Sequence, residues 1–434
     1  MKRNEEDMKR NEEIIDAVDH LAEKSLKFLQ ELVKTPSLEG DEKNCQLIIN
    51  EKFHSMGLTV DMWDLPDEEL KKHPAYVPTD YTYKNRPNVS GKLEGTGGGK
   101  SLMFLGHVDV VPTGPEETWE LSPWSGEYID GKVYGRGSCD MKGGLVSMIL
   151  AIESLQKLGL KMKGEVYLHS IIDEEAGGNG TLACLLRGYR ADACVQPEPS
   201  GLKRISISGR GAQFFRIIVP GQSGGTEYKH SLINPITKGL EVFQAVEAFS
   251  IMRESETSHP LYESIPTDDR SGTKVPTGIC KFHAGEWPST VAEQAVLEGT
   301  LECLPNEDIH EIKSRFKSYI EEWSRKDSWF KDNPLRLEWF GLWFESAEIE
   351  KNHPLVKVLE SSTNSVTGEK PNIMGGGGSD LRLPILYADT PTVLFGPSGG
   401  PIHSSNEYVN FSEVIDCAKI LALLTVDWCG VSES

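Results

Sequence analysis

Residues 101–112 read SLMFLGHVDVVP, an apolar run that leads into a histidine and an aspartate. A second run, EVYLHSII at 165–172, leads directly into three acids at 173–175. Both runs are short and nearly continuous, which is typical of strands buried on both faces. Residues 143–158 lie between them and carry apolar side chains at helical spacing. A strand, a helix and a strand predict a βαβ unit and therefore an α/β sheet.

The N-terminal part of the chain adds helices to this unit. Residues 1–13 nearly repeat the string MKRNEE and predict a solvated tail or the start of a helix. Residues 14–33 have the apolar spacing of an amphipathic helix, and a second helix is predicted at 42–56. Residues 64–88 are rich in Pro, Tyr and Lys without a clear period, so we expect a surface excursion over the active site.

Near Ser208 the pattern changes. Residues 213–219 and 295–301 alternate between apolar and polar, which indicates antiparallel strands with one wet face. Helical stretches at 236–252 and 307–324 accompany them. Two helices on one face of a small antiparallel sheet form a separate α+β domain.

Past Asn333 the first pattern returns, with a strand at 335–339, helices at 354–365 and 412–426, and an apolar run at 392–395. We therefore predict an α/β protein with a mixed, mostly parallel sheet flanked by helices. Its metal-binding catalytic domain comprises residues 1–207 and 328–434, and residues 208–327 form an inserted α+β domain.

Composition excludes several classes of function. The chain has 434 residues, 38% hydrophobic and 26% charged, as expected of a soluble protein with more than one domain. A net charge of −21 argues against nucleic acid as a partner. No apolar run approaches the roughly 20 residues of a membrane helix, and the charged N-terminus has no signal-peptide core. Eight scattered cysteines without a CxxC pair favour a reducing compartment, so we expect a cytoplasmic protein.

Five segments place an acid or an imidazole where a bound metal pair needs one. Zinc pairs take imidazole and carboxylate ligands, with one bridging carboxylate and an open position for water. The segments follow the predicted strands, at the edge where α/β sheets bind ligands. They therefore predict a co-catalytic two-zinc site in a hydrolase. The candidate residues are His107 with Asp109, Asp140, Glu174 with Glu175, Glu198 and His403.

Each candidate also has a simpler structural interpretation. Asp140 follows a glycine-rich turn at a helix start, where a carboxylate is often only an N-cap. Of the adjacent pair Glu174 and Glu175, one can bind metal while the other moves a proton. Asp109 can hold the other ring nitrogen of His107. Cys139 is disfavoured as a nucleophile because the sequence places no histidine to activate it.

Taken jointly, these motifs resemble a known family. They are LGHVDVVP at 105–112, GRG with DMKGG between 135 and 144, DEE at 173–175, EP at 198–199, and His403 with NE at 406–407. Over 86–198 and 375–409 the chain is similar to the M20-type zinc peptidase/deacylase family of acetylornithine deacetylase, succinyl-diaminopimelate desuccinylase, aminoacylase and carboxypeptidase G. The resemblance implies a metal domain interrupted by a lid domain through which the protein forms a homodimer.

The resemblance also implies a role for each residue. Asp140 bridges two Zn²⁺ ions, which Co²⁺ or Mn²⁺ can replace. His107 and Glu198 complete the ligand set of one ion, while Glu175 and His403 complete that of the other. Glu174 is the general base, and Asp109 orients His107.

The substrate side resembles the family less closely. The loop GGGGSDLR at 375–382 resembles a glycine-rich substrate loop, in which Gly377 and Ser379 approach the ligand and Arg382 grips a carboxylate or forms a surface salt bridge. Family members carry a lid histidine where this chain reads GQSGGT at 221–226, so His230 is the candidate substitute. Ser289 and Glu302 stand where asparagine and arginine are common.

The sequence thus predicts a metal-dependent deacylase that cleaves a small N-acyl amino acid or similar N-acyl amine carrying a carboxylate. A dipeptidase or carboxypeptidase is the alternative, because the cleaved bond is the same. A binding protein that lost catalysis ranks below both, since every ligand position and Glu174 are filled.

Overall fold

A nine-stranded sheet forms the centre of the larger of two units in the computed structural model, which describes residues 5–263 and 273–432. The larger unit comprises the chain up to Ile207 and from Glu348 on, and the smaller unit is Ser208–Ala347. The helices are α1 (Glu5–Lys34), α2 (Lys43–Ser55), α3 (Asp67–Leu70), α4 (Gly143–Lys157), α5 (Asn179–Leu186), α6 (Pro235–Glu256), α7 (Ile309–Ser324), α8 (Ser328–Asp332), α9 (Pro354–Thr367), α10 (Arg382–Ala388) and α11 (Phe411–Cys429).

The strands of the larger unit are β1 (Thr59–Asp64), β2 (Pro87–Leu93), β3 (Leu102–His107), β4 (Tyr128–Ile129), β5 (Lys132–Tyr134), β6 (Val166–Ile171), β7 (Cys194–Gln196), β8 (Arg204–Gly209), β15 (Ala347–Glu348), β16 (Asn372–Gly376), β17 (Thr392–Leu394), β18 (Gly399–Gly400) and β19 (Tyr408–Asn410). Those of the smaller unit are β9 (Gly211–Pro220), β10 (Gly224–Gly225), β11 (Thr277–Ala284), β12 (Thr290–Val291), β13 (Gln294–Cys303) and β14 (Arg336–Phe344).

The large sheet has the order β1-β2-β6-β3-β7-β17-β8-β15, with β16 beside β8. Its central strands β6, β3, β7 and β17 run parallel, and antiparallel pairs continue the sheet from β6 to β2 and from β17 to β8. Every residue of β3 is buried, because helices cover a strand that is apolar on both faces. The predicted fold class, a mixed and mostly parallel α/β sheet flanked by helices, is confirmed.

The segment 64–88 differs from the predicted surface excursion. It contains α3, and its side chains Leu70, Val77 and Tyr83 are at most 1% exposed. The amide of Asn179 bonds both the backbone N–H and the carbonyl of Val77, and it donates to the Tyr83 hydroxyl. The segment therefore packs against the start of α5, because its polar groups find partners there that composition cannot reveal.

The smaller unit is a four-stranded antiparallel sheet, β11-β13-β9-β14, packed against α6 and α7. Along β9, Phe215, Ile217 and Val219 are fully buried, whereas Phe214, the residue before them, is 37% exposed. The buried side chains pack with Phe249 of α6 and Phe316 of α7 in one hydrophobic core. Alternation with one wet face is what the sequence predicts for these strands.

The second domain boundary is a correction. The sequence placed the return to the larger domain at residue 328, but β14 pairs with β9 in the smaller sheet. Leu337 and Trp339 of β14 pack on the hydrophobic core of that unit. Residues 328–347 therefore belong to the smaller unit, because an apolar strand fits either sheet and only its hydrogen-bond partner decides between them. Among the helices that the structure describes, none is long and apolar enough to cross a bilayer.

Candidate metal centre and active site

Five ligand candidates meet at one edge of the large sheet. His107 is the last residue of β3, the pair Glu174–Glu175 follows β6, and Glu198 follows β7. Because these three strands are parallel and adjacent, their carboxyl ends lie side by side. Asp140 enters from the turn before α4, and His403 enters from the segment after β18.

The carboxylate of Asp140 lies between the two imidazoles. Its Oδ1 is 3.2 Å from Nε2 of His107, and its Oδ2 is 3.3 Å from Nε2 of His403. Each carboxylate oxygen therefore faces a different imidazole, which is the arrangement of a carboxylate that bridges two ions.

Each imidazole also has a glutamate of its own. Nε2 of His107 is 3.8 Å from Oε1 of Glu198, and Nε2 of His403 is 3.2 Å from Oε1 of Glu175. Ligand atoms of His107, Asp140 and Glu175 all lie within 4.8 Å of one another. The structure thus brings the five residues together as two sets that share Asp140.

The donor set fits divalent cations. The side chains of Asp140, Glu174, Glu175 and Glu198 are only 12–14% exposed. Within the described part of the chain, their ion pairs are all with the two imidazoles and none is with Lys or Arg. Buried carboxylates need compensating charge, and two imidazoles do not neutralise four acids. Imidazole nitrogens and carboxylate oxygens are also the ligands that zinc prefers.

The electrostatics follow from this crowding. Burial, together with the charge of Asp380, raises the pKa of Glu174 well above its usual range. Burial likewise raises the pKa of Glu198, although His107 opposes that rise. Burial would lower the pKa of His107, but its hydrogen bond to Asp140 and the neighbouring acids raise it well above 6.5. Hydrogen bonds to Asp140 and Glu175 raise the pKa of His403 to about 10.

Glu174 stands apart from the two ligand sets. Its Oε1 accepts a hydrogen bond from the backbone N–H of Asp380 at 3.3 Å, and its Oε2 is 4.0 Å from Nε2 of His107. Glu174 thus points into the cluster from the side, where a proton acceptor can reach a water molecule held between the ligand sets.

Asp109 holds the cluster differently from the prediction. Nδ1 of His107 lies 2.9 Å from the backbone carbonyl of Asp109, whereas the carboxylate Oδ1 is 3.6 Å away, beyond hydrogen-bond distance. The other carboxylate oxygen accepts the backbone N–H of Glu175 at 3.0 Å. Burial raises the pKa of Asp109 to about 8. The residue therefore orients His107 through its carbonyl and Glu175 through its carboxylate.

The backbone has a positive φ at His403 and at Asp173, the residue before Glu174. His403 has φ 57° and Asp173 has φ 68°, in the left-handed region that residues with a side chain seldom adopt. Such strain persists where the surroundings impose it and is common at functional sites. Gly144 permits another close approach, since a Cβ at this position would lie 1.9 Å from the carbonyl oxygen of Pro197. The start of α4 can therefore pack directly against the turn that presents Glu198.

Arg382 contradicts its predicted role. The side chain is 1% exposed, its Nη2 donates to the carbonyl of Gly177 at 3.1 Å, and its Nη1 is 3.7 Å from Oδ1 of Asp380. A buried guanidinium has no open face for a substrate carboxylate, and it is not a surface salt bridge either. Arg382 instead supports the turn that follows Glu174.

The other predicted substrate residues differ in their exposure and in the unit to which they belong. Gly377 is exposed, whereas Ser379 is buried and its hydroxyl accepts the N–H of Leu381 at 3.3 Å. His230 lies in the smaller unit, exposed, just after a short helical turn at Thr226–Tyr228. In that unit the backbone carbonyl of Ser289 accepts the N–H of Thr226. Oε2 of Glu302 lies 3.5 Å from Nη1 of Arg210. The roles of Gly377 and His230 toward the substrate stay predictions.

Sequence reasoning gave no role to several buried acids around the site. Glu407 accepts the backbone N–H groups of Cys139 and Asp140, and Asp380 contacts Glu174 through its backbone. Asp173 accepts the hydroxyl of Tyr83 at 2.8 Å. Each lies one to four residues from a predicted site residue and within a motif that the sequence singled out, namely DEE at 173–175, GGGGSDLR at 375–382 and NE at 406–407.

A proton acceptor beside two imidazole–carboxylate sets, at the carboxyl edge of an α/β sheet, defines a metal-dependent hydrolase. Comparison with known proteins agrees: residues 103–427 match Peptidase family M20/M25/M40. The chain therefore belongs to this family and is a hydrolase of amide bonds, as the resemblance implied.

Three relatives in sequence are deacylases. The chain is 26% identical to an N-formyl-4-amino-5-aminomethyl-2-methylpyrimidine deformylase of Halalkalibacterium halodurans, over 98% of both chains. It is 27% identical to the Bacillus subtilis deformylase of the same name, over 87% of both. It is 27% identical to a succinyl-diaminopimelate desuccinylase of Variovorax paradoxus, over 90% of this chain and 94% of that protein.

Solved structures share the fold. Human carnosine dipeptidase 1 superposes with a TM-score of 0.76 at 16% identity, covering 96% of this chain and 99% of that one. An M20 family metallo-carboxypeptidase from Sulfolobus solfataricus gives 0.74 at 16% identity, covering 92% and 98%. The family, the fold and the class of metal-dependent deacylase are thus established.

Proposed function

We propose that the protein is a two-metal deacylase with Asp140 as the bridging ligand. His107 and Glu198 complete the site of one ion, and Glu175 and His403 complete the other. The observation that carries this assignment is that the two oxygens of Asp140 lie 3.2 and 3.3 Å from different imidazoles. We propose zinc as the metal, with cobalt or manganese able to occupy the same ligands.

The chain's own residues then divide the reaction between them. Bound zinc supplies a Lewis acid that lowers the pKa of a water molecule and polarises the amide carbonyl. Glu174 accepts the proton of that water at a carboxylate oxygen and later returns it to the leaving amine. Asp109 keeps His107 and Glu175 in place during both steps, and Asp380 holds Glu174 through its backbone N–H.

We propose a small N-acyl amine as the substrate, with a formyl group first among the acyl groups. The support is the name of the two deformylase relatives, one of which matches over nearly the whole chain. A dipeptidase or carboxypeptidase is the second candidate, because solved neighbours with those names share the fold. Arg382, the residue of the larger unit that was predicted to bind a substrate carboxylate, is buried and has no open face for one.

One experiment tests the metal site and the substrate together. Purified wild-type protein and Asp140→Ala are dialysed against zinc, and their metal content is measured. Both are then assayed on N-formyl, N-acetyl and N-succinyl amines, each with and without a carboxylate, and on dipeptides. We expect two zinc ions per wild-type chain, loss of bound zinc in Asp140→Ala, and the highest kcat/KM on an N-formyl amine.

Two results would contradict this proposal. Asp140→Ala that retains two zinc ions would remove the bridging role. Faster cleavage of dipeptides than of every N-acyl amine would favour the peptidase instead.

We also propose that the smaller unit is a lid and mediates a homodimer. Ile236, Leu240 and Ile251 lie on one stripe of α6 and are 43%, 53% and 71% exposed. Next to this helix, β11 is an edge strand of the sheet. A stripe of exposed aliphatic side chains beside an open strand edge is suited to a second copy of the same surface.

The dimer and the lid histidine have separate tests. Leu240→Glu should convert a dimer into a monomer in light scattering, while the same charge introduced at an exposed polar residue of the other helix, Ser318→Glu on α7, should not. If His230 serves as the oxyanion donor, His230→Ala should lower kcat by roughly 10²–10³. An unchanged kcat and KM would exclude it.

For the compartment we propose the cytoplasm. All eight cysteines are free thiols and seven of them are buried, which suits a reducing environment.

A further inference from the structure

Asp140, the proposed bridging residue, lies in a turn that is not a regular helix. Asp140 has φ −117° and ψ 95°, so the turn from Ser138 to Lys142 departs from helical geometry at this residue. A carboxylate that must face two imidazoles with different oxygens needs a fixed backbone. The hydrogen bonds that fix this turn therefore matter for the metal site.

One side chain provides these bonds. Oε1 of Glu407 accepts the backbone N–H of Cys139 at 3.0 Å and that of Asp140 at 3.2 Å. The side chain of Glu407 is 1% exposed, so water does not compete for it. A buried carboxylate with two amide donors is a strong, directional anchor.

Glu407 is itself held at two points. Its Oε2 accepts Nη1 of Arg136 at 2.5 Å, and its backbone carbonyl accepts the N–H of Gly135 at 2.9 Å. Arg136 is 2% exposed, donates from Nη2 to the carbonyl of Pro112 at 3.2 Å, and lies 5.4 Å from the centre of the Trp119 ring. The position of the anchor is therefore set by packing rather than by solvent.

This ion pair joins three ligand-bearing segments. Glu407 follows His403 by four residues and holds the turn of Asp140. Arg136 holds Pro112, five residues after His107. We infer that Glu407, fixed by Arg136, is a positioning residue that orients Asp140 between the two metal sites. This inference rests on the proposed metal site.

The test compares two Arg–Glu pairs, each with a buried arginine. Glu407→Gln keeps the shape of the side chain but presents an amide N–H to Arg136 or to the backbone donors. The matched control is Glu307→Gln in the smaller unit, where Glu307 accepts Arg253 at 2.5 Å and the N–H of Leu304 at 3.0 Å. Both variants should lose thermal stability. Only Glu407→Gln should bind zinc about 10–100-fold more weakly, as measured by competition with a chelator.

Two further readouts separate positioning from general destabilisation. In the metal-free protein, the amides of Cys139 and Asp140 should exchange hydrogen on the order of tenfold faster in Glu407→Gln than in wild type. Saturating zinc should restore much of kcat without a change in KM. Arg136→Lys, which keeps the charge but not the fork of donors, should weaken zinc binding in the same direction and serves if Glu407→Gln does not fold.

The inference is overturned if Glu407→Gln or folded Arg136→Lys binds zinc within twofold of wild type. It is also overturned if Glu307→Gln loses zinc affinity to the same extent as Glu407→Gln. A wild-type protein that binds no zinc would instead contradict the proposed metal site itself, so the two failures are distinguishable.

Discussion

Glu174 and Asp140 are carboxylates of one buried cluster, yet their neighbours give them different tasks. Both oxygens of Asp140 face imidazoles, whereas Glu174 is held by one backbone N–H and otherwise faces the space between the ligand sets. The type of side chain does not separate the proposed ligand Asp140 from the proposed base Glu174. The contacts of their carboxylate oxygens distinguish them.

Glu174→Gln should retain zinc and lose turnover. The amide still accepts the N–H of Asp380 but cannot take a proton from water, so kcat should fall by roughly 10²–10⁴. Metal content and KM are measured alongside, with Glu165→Gln, at the residue before β6, as the control. Turnover within twofold of wild type would exclude Glu174 as the base.

Arg382→Met tests the corrected role of the buried arginine. Removing the guanidinium leaves Asp380 buried without its nearest cation, which typically costs about 3–5 kcal/mol of unfolding free energy. Urea denaturation measures this loss. The ratio of kcat/KM between carboxylated and uncharged substrates should not change; a selective rise in KM for carboxylated substrates would restore Arg382 as a substrate ligand.

At the level of elements, the turn between β6 and α5 presents Glu174 and Glu175 and is held from behind. Asp173 accepts the hydroxyl of Tyr83, and its other oxygen lies 3.3 Å from Nη2 of Arg86, which pairs with Glu42 at the start of α2. All four residues are at most 3% exposed. A segment that the sequence predicted to be a surface loop thus braces the turn that carries Glu174 and Glu175.

Tyr83→Phe should loosen that brace without emptying the site. It removes one hydrogen bond to a buried carboxylate and leaves the ring in place, so unfolding free energy should fall by about 1–3 kcal/mol. We expect kcat to fall by about tenfold with zinc content retained. Tyr81→Phe, on an exposed neighbour, is the matched control; equal effects of the two variants would refute the brace.

Most elements were predictable because their apolar period reports burial directly. The strands β3, β6 and β9 and the helices α4, α6 and α11 all lie within a few residues of their predicted ranges. Residues 336–344 were assigned to the wrong unit for a physical reason: an apolar strand fits either sheet, and its pairing with β9 depends on residues more than a hundred positions away.

For the whole molecule, the smaller unit is inserted between neighbouring strands of the larger sheet. The chain leaves through β8 and returns through β15, and the N–H of Ile349 donates to the carbonyl of Ile207 at 3.0 Å. The two ends of the larger unit are therefore already adjacent, and each unit has a hydrophobic core of its own.

Replacing residues 209–346 by a short Gly/Ser linker should leave a folded metal domain. All proposed metal ligands lie in the larger unit, so the shortened protein should unfold cooperatively and bind two zinc ions. Calorimetry and metal analysis measure these properties. An insoluble product, or one that binds no zinc while wild type does, would show that the larger unit depends on the smaller one.

Stability should fall in acid because His169 is buried as the neutral imidazole. Burial lowers its pKa from 6.5 to about 3, so between these values the unfolded state binds the proton and the folded state does not. The stability contributed by His169 is complete above pH 6.5 and is lost toward pH 3, by up to about 1.4 kcal/mol per pH unit. In His169→Asn, which keeps an acceptor for Ser90, the urea midpoint should depend less steeply on pH. An unchanged slope would contradict the assignment.

The sequence by itself determined the sheet, the five segments that carry the proposed ligands, and the family. It could do so because buried strands have a local apolar signature and because adjacent parallel strands end at one edge. Tertiary structure alone decided that each oxygen of Asp140 faces a different imidazole, that Arg382 is buried and that Glu407 anchors the turn of Asp140. That last contact joins residues 268 positions apart, and no local pattern records which distant side chain will meet a backbone N–H group.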